Sequence, residues 1–202
     1  MKLYFSPGAC SLASHIALLE AGLPFTADRV DMRTRQTSDG RDFTTVNPNG
    51  YVPSLELDNG EILNEGQAIL QYIADQKPAA QLAPPAGTIP RSRVLEWLSS
   101  TSSELDKGFR PLLRPGGPED TKAAIREKLG GRLGYVAKHL ASRQYLVGDH
   151  FTVADAYLYT ILTWTRIAGI DLSAWPVLAA YLERIQQRPA VQAARAAEGL
   201  KA

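Results

Sequence analysis

A single cysteine, Cys10, and three histidines are all the thiol and imidazole in a chain of 202 residues. One cysteine excludes an intrachain disulfide, a Cys-x-x-Cys redox pair and a cysteine-built zinc site. His15, His139 and His150 lack the spacing of metal ligands, so no metal is expected and all three are placed at the surface or at caps. An excess of one charge is missing too. Lys and Arg number 22 against 21 Asp and Glu, a net charge of +1, so no global field draws in nucleic acid or an anionic membrane. Any charged ligand has to be met locally. No apolar run approaches the roughly 20 residues that span a bilayer, and Lys2-Leu3-Tyr4-Phe5 follows Met1 without a basic segment and an apolar stretch. A cytoplasmic location is the expectation. What the chain does have is 45% apolar residues, enough to build one full core or two small ones.

Two textures follow one another. Up to about Lys77 short strand-like runs alternate with helical ones, and beyond about Pro90 every periodic segment is helical. Residues 78–87, with three prolines and a terminal glycine, oppose regular structure and read as a linker between a first domain, 1–77, and a second, 88–202. In the first domain Leu3 to Phe5 is strand-like. Ser11 to Ala21 carries Leu12, Ile16 and Leu19 at helical spacing before Gly22 stops it. Phe25 to Val30 is a second strand, Asp39 to Val46 a short helix and Ser54 to Leu57 a third strand. Asp58-Asn59-Gly60 is a hairpin turn into a strand at Ile62 and Leu63, and an amphipathic helix starts at Gly66. The order is β-α-β-α-β-β-α. In the second domain Ile125, Leu129, Leu133, Val136 and Leu140 form one long stripe, as in a helical bundle. Thr152-Val153-Ala154-Asp155 is a capping-box start for a further helix.

Three places carry chemistry. Cys10 lies between the first strand and the first helix, where unpaired backbone N–H groups and the helix dipole favour a thiolate; the plainer reading of a lone cysteine is a buried, inert one. Ser11 beside it is a weaker donor to a bound sulfur, or simply a good helix starter. Val52-Pro53 precedes a strand, where a cis peptide would expose the backbone of Val52 to an extended ligand that pairs like an added strand; an ordinary trans proline is the alternative. Asn64-Glu65-Gly66 opens a helix, so backbone N–H groups can hold a carboxylate and Glu65 an ammonium, the two charges of an amino-acid terminus. Alone, Glu65 would merely complement the helix dipole. Further on, Ser99, Ser103 and Asp106 at i, i+4 and i+7 make a polar stripe opposite Val94, Leu98 and Leu105.

A thiol at a helix start, Val-Pro before a strand and Glu-Gly at the next helix start, in a β-α-β-α-β-β-α chain, resemble the glutathione transferases. The likeness is closest to the bacterial beta class. It is carried by Lys2-Leu3-Tyr4, Ser6-Pro7-Gly8-Ala9-Cys10-Ser11, Asn47-Pro48, Gly50 with Val52-Pro53, Leu57-Asp58-Asn59-Gly60 and Asn64-Glu65-Gly66. In the second domain Glu96-Trp97-Leu98, Lys107-Gly108-Phe109 and the run from Val147 to Tyr157 continue it. The resemblance implies a thioredoxin-like α/β N-terminal domain and an all-α C-terminal helical bundle, glutathione as cosubstrate, a small apolar electrophile as partner, and a homodimer. It assigns Cys10 and Ser11 to catalysis, and Ala9, Cys10, Arg35, Val52, Pro53, Glu65, Gly66, Ser99, Ser103, Asp106 and Lys107 to glutathione. Tyr51, Phe109, Leu113 and Trp164 are assigned to the electrophile. The implied activity is transfer of the glutathione thiol to electrophiles, of the detoxification type. Thiol transfer, peroxidase or dehalogenase chemistry through a Cys10 mixed disulfide, and a non-catalytic adaptor or carrier of the same fold, are the alternatives. The chain departs from its relatives at the site: Asp106 stands where they commonly carry His, Ser99 for Asn, Phe5 for Tyr and Tyr51 for Gln. Asp106 is therefore expected to weaken conjugation of standard aryl halides, because a carboxylate near the sulfur opposes the thiolate.

Overall fold

The computed structural model describes residues 1–200. The chain forms two compact units: Met1–Ala83 together with the segment from Arg188, and Pro84–Gln187.

The first unit is built from β1 (Lys2–Phe5), α1 (Ser11–Ala21), β2 (Thr26–Asp31), β3 (Gln36–Thr37), β4 (Ser54–Glu56), β5 (Ile62–Asn64) and α2 (Gly66–Gln76). The sheet runs β3-β2-β1-β4-β5. β1 and β2 are parallel, with Lys2 opposite Thr26, so a crossover is required and α1 supplies it. β4 lies antiparallel to β1, with Leu3 opposite Leu55, and β5 antiparallel to β4. Leu3 and Tyr4 on successive positions of β1 are both fully buried, which marks a central strand covered on both faces. Tyr4 packs with Val30, Phe43 and Val52. α1 ends where Gly22 turns left-handed (φ 61°) and returns its N–H to Leu18 and Leu19.

The helix expected over Asp39 to Val46 is not formed. β3 pairs with β2 just ahead of this stretch, and within it a single 3-10 turn spans Phe43–Thr45. The reason is local. Asp39 and Asp42 bind nearby backbone and hydroxyl groups instead of yielding them to a helix, and Gly40 is left-handed at φ 82°. A second 3-10 turn, Pro78–Ala80, stands in the stretch expected to be irregular.

The second unit holds α3 (Ile89–Ser100), a π-helical segment (Thr101–Asp106), α4 (Lys107–Leu113), α5 (Glu119–Leu140), α6 (Val153–Leu162), the single turn α7 (Thr165–Ala168) and α8 (Pro176–Gln186). Every residue of α6 is buried, as befits a helix surrounded by others. Its capping box is complete, and Asp155 accepts from Leu146 N, Thr152 N, Thr152 Oγ1 and Tyr181 OH, all within 3.0 Å. Burial nonetheless pushes the Asp155 carboxyl above the usual carboxylate range. Leu129, Leu133, Val136 and Leu140 form the buried stripe of α5. The ring of Trp175 lies against the helix at Gly130, where a Cβ would stand 3.5 Å from it in ordinary contact. The last helix, α9 (Pro189–Ala197), packs on α1 in the first unit. Among the described residues no helix is long and apolar enough to cross a membrane.

Candidate functional site

The loop between β1 and α1 is closed from inside. Gly8 is left-handed (φ 69°), and Ala9 N–H donates to Ser6 O at 3.0 Å. The Ser11 hydroxyl accepts from Ser6 N at 3.2 Å and donates to Ser6 O at 3.3 Å. Ser11 is fully buried; its hydroxyl faces the loop it closes, not outward as a donor to a bound sulfur. Ala9 packs against the cluster of Tyr4, Val30, Phe43 and Val52. Cys10 takes the N-cap position of α1 and is half-buried. Its Sγ donates to the carbonyl of Val52 at 3.3 Å, and the Val52–Pro53 peptide is cis. Two motifs separated by some forty residues in the sequence thus meet at one pair of atoms.

A residue that sequence reasoning missed holds the same loop. Glu198, buried beyond the end of α9, accepts from Gly8 N at 2.9 Å and meets His15 Nδ1 at 3.0 Å. His15 is accordingly not a surface or capping residue. It is buried between the rings of Phe5 and Phe25, at centroid distances of 5.7 and 5.5 Å. His139 is half-buried, its ring tilted against Trp97 at a centroid distance of 4.6 Å and bonded to Leu146 O. Only His150 is exposed, beside Asp149. A lone carboxylate near a chain end carries no pattern that would reveal such a role.

Glu65 and Gly66 open α2. Glu65 is exposed and has φ 68°, a region that costs a residue with a Cβ of order 1–3 kcal/mol and is tolerated mainly at functional sites. A Cβ at Gly66 would stand 3.6 Å from Pro53 Cγ, which puts the start of α2 directly against the Val52-Pro53 turn. Arg35 is exposed and also left-handed (φ 56°). The turn before it is built on Asp31, whose Oδ1 accepts from Arg33 N at 2.7 Å and Thr34 N at 3.2 Å. Those two N–H groups hold the Asp31 carboxyl below the ordinary range. Asp42, at the other end of the same excursion, is held low by the backbone N–H and hydroxyl of Thr44, with the charge of Arg35 adding to the effect. The Arg35 side chain lies against Gly50. Cys10, Ala9, Val52, Pro53, Glu65, Gly66 and Arg35 therefore all belong to the first unit. Direct contacts join Cys10 to Val52 and Pro53 to Gly66. Tyr51 beside them is 56% exposed.

In the second unit the expected polar stripe is split. Ser99, Ser103 and Lys107 are exposed, but Asp106 is 2% exposed. Its Oδ2 accepts from Tyr157 OH and its Oδ1 from Arg110 Nε, each at 2.8 Å. The π-helical segment is the cause: its wider turn shifts the phase, so i, i+4 and i+7 no longer share one face. The Asp106 carboxylate is thus committed within its own unit to Arg110 and Tyr157. Phe109 and Trp164 are both buried, packed edge to face at 6.2 Å and 83°, and Leu113 is half-buried.

Residues 8–76 match the family model of the glutathione S-transferase N-terminal domain, and residues 101–189 that of the C-terminal domain. The chain is 46% identical over 201 residues to glutathione S-transferase GstA of Escherichia coli O157:H7, covering 100% of both chains. Among solved structures it is similar to a sphingomonad glutathione S-transferase complexed with glutathione, at 52% identity and a TM-score of 0.96 with 100% of both chains covered. The bacterial beta class enzyme of Sphingomonas chungbukensis matches with the same identity, TM-score and coverage.

Proposed function

We infer the chemistry of this site from the premise that the chain belongs to the bacterial beta class of glutathione S-transferases. It is a glutathione transferase that takes glutathione as cosubstrate and conjugates its thiol to electrophiles. The observation that carries the assignment of residues is the 3.3 Å contact of Cys10 Sγ with Val52 O, on the unit that also presents Glu65 and Gly66. In this reading Val52 pairs with the cysteinyl backbone of the tripeptide and so sets its sulfur beside Cys10 at the start of α1. Glu65 takes the γ-glutamyl ammonium and the N–H groups that open α2 take its carboxylate. Arg35 grips the glycyl carboxylate bidentately. Holding the thiol in place ahead of the electrophile is the main catalytic contribution such a site makes. We assign the electrophile to the apolar class, and to it Phe109, Leu113 and Trp164 of the second unit. The enzyme is proposed to act in the cytoplasm as a homodimer.

The test is calorimetric titration of the protein with reduced glutathione beside a Glu65→Ala variant. Saturable binding, weakened about tenfold or more by removal of the ammonium partner, is expected; no binding at millimolar concentration would turn the reading toward an adaptor of the same fold.

The half-buried Cys10 thiol favours a second activity on the same site. Its thiolate attacks the glutathione sulfur of a mixed disulfide and expels the other thiolate. A second glutathione thiolate then attacks the protein–glutathione disulfide, leaving oxidised glutathione and restoring Cys10. Cys10→Ala should abolish this thiol transfer while keeping a substantial part of conjugation. Equal loss of both activities would show instead that Cys10 acts on the bound tripeptide in either reaction.

A further inference from the structure

We propose that Gly50 determines specificity at this site, by leaving the space in which the Arg35 guanidinium must lie to receive the tripeptide's C-terminal carboxylate. The inference rests on the glutathione reading above and adds to it a residue that acts through Arg35.

Both backbones that frame the contact are tied down. Arg35 N–H donates to Asp31 O at 2.6 Å, and Arg35 O accepts from the N–H of Phe43, a fully buried residue, at 2.8 Å. On the other side Gly50 N–H donates to Asn47 O at 2.7 Å. The buried Asn47 side chain donates to Tyr51 O at 2.8 Å and accepts from Asn49 N at 3.1 Å. With Arg35 and Gly50 both fixed, only the arginine side chain is left to adjust.

That side chain runs along the glycine. A Cβ on Gly50 would stand 2.7 Å from Arg35 Nη1, 3.0 Å from Cζ and 3.2 Å from Cδ, closer than non-bonded carbon and nitrogen tolerate. It would meet the stem as well as the tip, so a small rotation of the guanidinium does not clear it. The fold escapes cheaply, because Arg35 is exposed and can swing away. The carboxylate grip does not, since a bidentate pair depends on the position and plane of the guanidinium. Gly50 lies two residues before Val52, so its seat aligns two neighbouring parts of one extended ligand: Val52 for the central cysteinyl backbone, Arg35 for the terminal carboxylate.

The competing explanation is that glycine is present only for its left-handed φ of 64°. Asparagine tolerates that region better than most residues but brings the same Cβ, so Gly50→Asn separates the two. The probes are glutathione and the same tripeptide amidated at its glycine, titrated at one fixed salt concentration into the wild type, Gly50→Ala, Gly50→Asn, Arg35→Ala and the Gly50→Ala/Arg35→Ala double variant. The wild type should bind glutathione about tenfold tighter than the amide. Either Gly50 substitution should remove that preference while leaving the affinity for the amide within about twofold. Arg35→Ala should do the same, and adding Gly50→Ala to it should change nothing further. A Gly50→Asn protein that keeps the wild-type preference, substitutions that weaken both ligands equally, or a wild type that does not discriminate between them would each overturn the role of Gly50 while leaving glutathione binding in place. A wild type that binds neither peptide would overturn the glutathione reading, and this inference with it.

Discussion

The ring of Tyr4 is buried among Val30, Phe43 and Val52, next to the turn that meets Cys10, while its hydroxyl reaches the strand edge and donates to Glu56 at 2.7 Å. Burial first, and then the neighbouring carboxylate, push its phenol up to about 12 from the ordinary 10.0. A group whose folded value is raised stabilises the fold fully below its unfolded value and loses that contribution as pH rises through the folded one. Urea unfolding of the wild type should therefore weaken across the interval from about pH 10 to about pH 12. Tyr4→Phe, which has no such proton to lose, should show a shallower decline over that interval, and parallel declines would remove Tyr4 from the account. Legibility at this scale depends on sequence distance. Cys10, Val52-Pro53 and Glu65-Gly66 are readable because each is a short motif at the end of an element, where backbone groups are available by construction. The bond from Gly8 to Glu198 spans 190 positions and belongs to no motif, so the pairing of the same carboxylate with the buried His15 is invisible until the chain is folded.

Elements were readable where periodicity and a cap agree and unreadable where side chains compete with the backbone. The capping box at Thr152 and Asp155 is plain in the sequence, and in the structure Asp155 serves four donors that α6, the loop before it and α8 would otherwise leave without that acceptor. Asp155→Ala should lower the unfolding free energy by about 3 kcal/mol, combining a lost cap with buried donors stripped of their carboxylate. Denaturant unfolding measures it, and a cost below about 1 kcal/mol would mean the box is ornamental to α6. No comparable signal announces the π-helical segment at Thr101–Asp106, because its residues suit an ordinary helix and only tertiary packing decides the extra residue per turn. The same limit explains the missing helix over Asp39 to Val46, where two aspartates bond to their own turns.

At the scale of the molecule, the first unit is not complete when the chain leaves it at Ala83; it is finished only after Arg188, when α9 comes back to α1. The apolar positions of α9 indicate a helix with one buried face, but not which element covers that face, and sequence texture grouped it with the helices before it. Three kinds of contact tie it down. Arg188 makes a bidentate pair with Glu20 at 2.6 and 2.9 Å, Val191 and Ala194 are fully buried, and Glu198 accepts from the backbone of Gly8 in the loop that carries Cys10. A chain ending at Gln187 should therefore lose about 3 kcal/mol or more of stability, since a buried valine alone contributes roughly 1.5–3 kcal/mol and the charge-assisted bonds add to it. Its affinity for glutathione should fall further than stability alone explains, because Gly8 loses its acceptor and the Cys10 loop its anchor. Glu198→Gln separates the two effects. The amide keeps the shape and one carbonyl acceptor, so most of the packing survives while the carboxylate shared by Gly8 and His15 is gone. Glutathione affinity that drops in Glu198→Gln with little change in unfolding free energy would make the end of the chain a working part of the site. If affinity holds in Glu198→Gln and falls only in the truncated chain, in step with stability, α9 is a cover for α1 and nothing more.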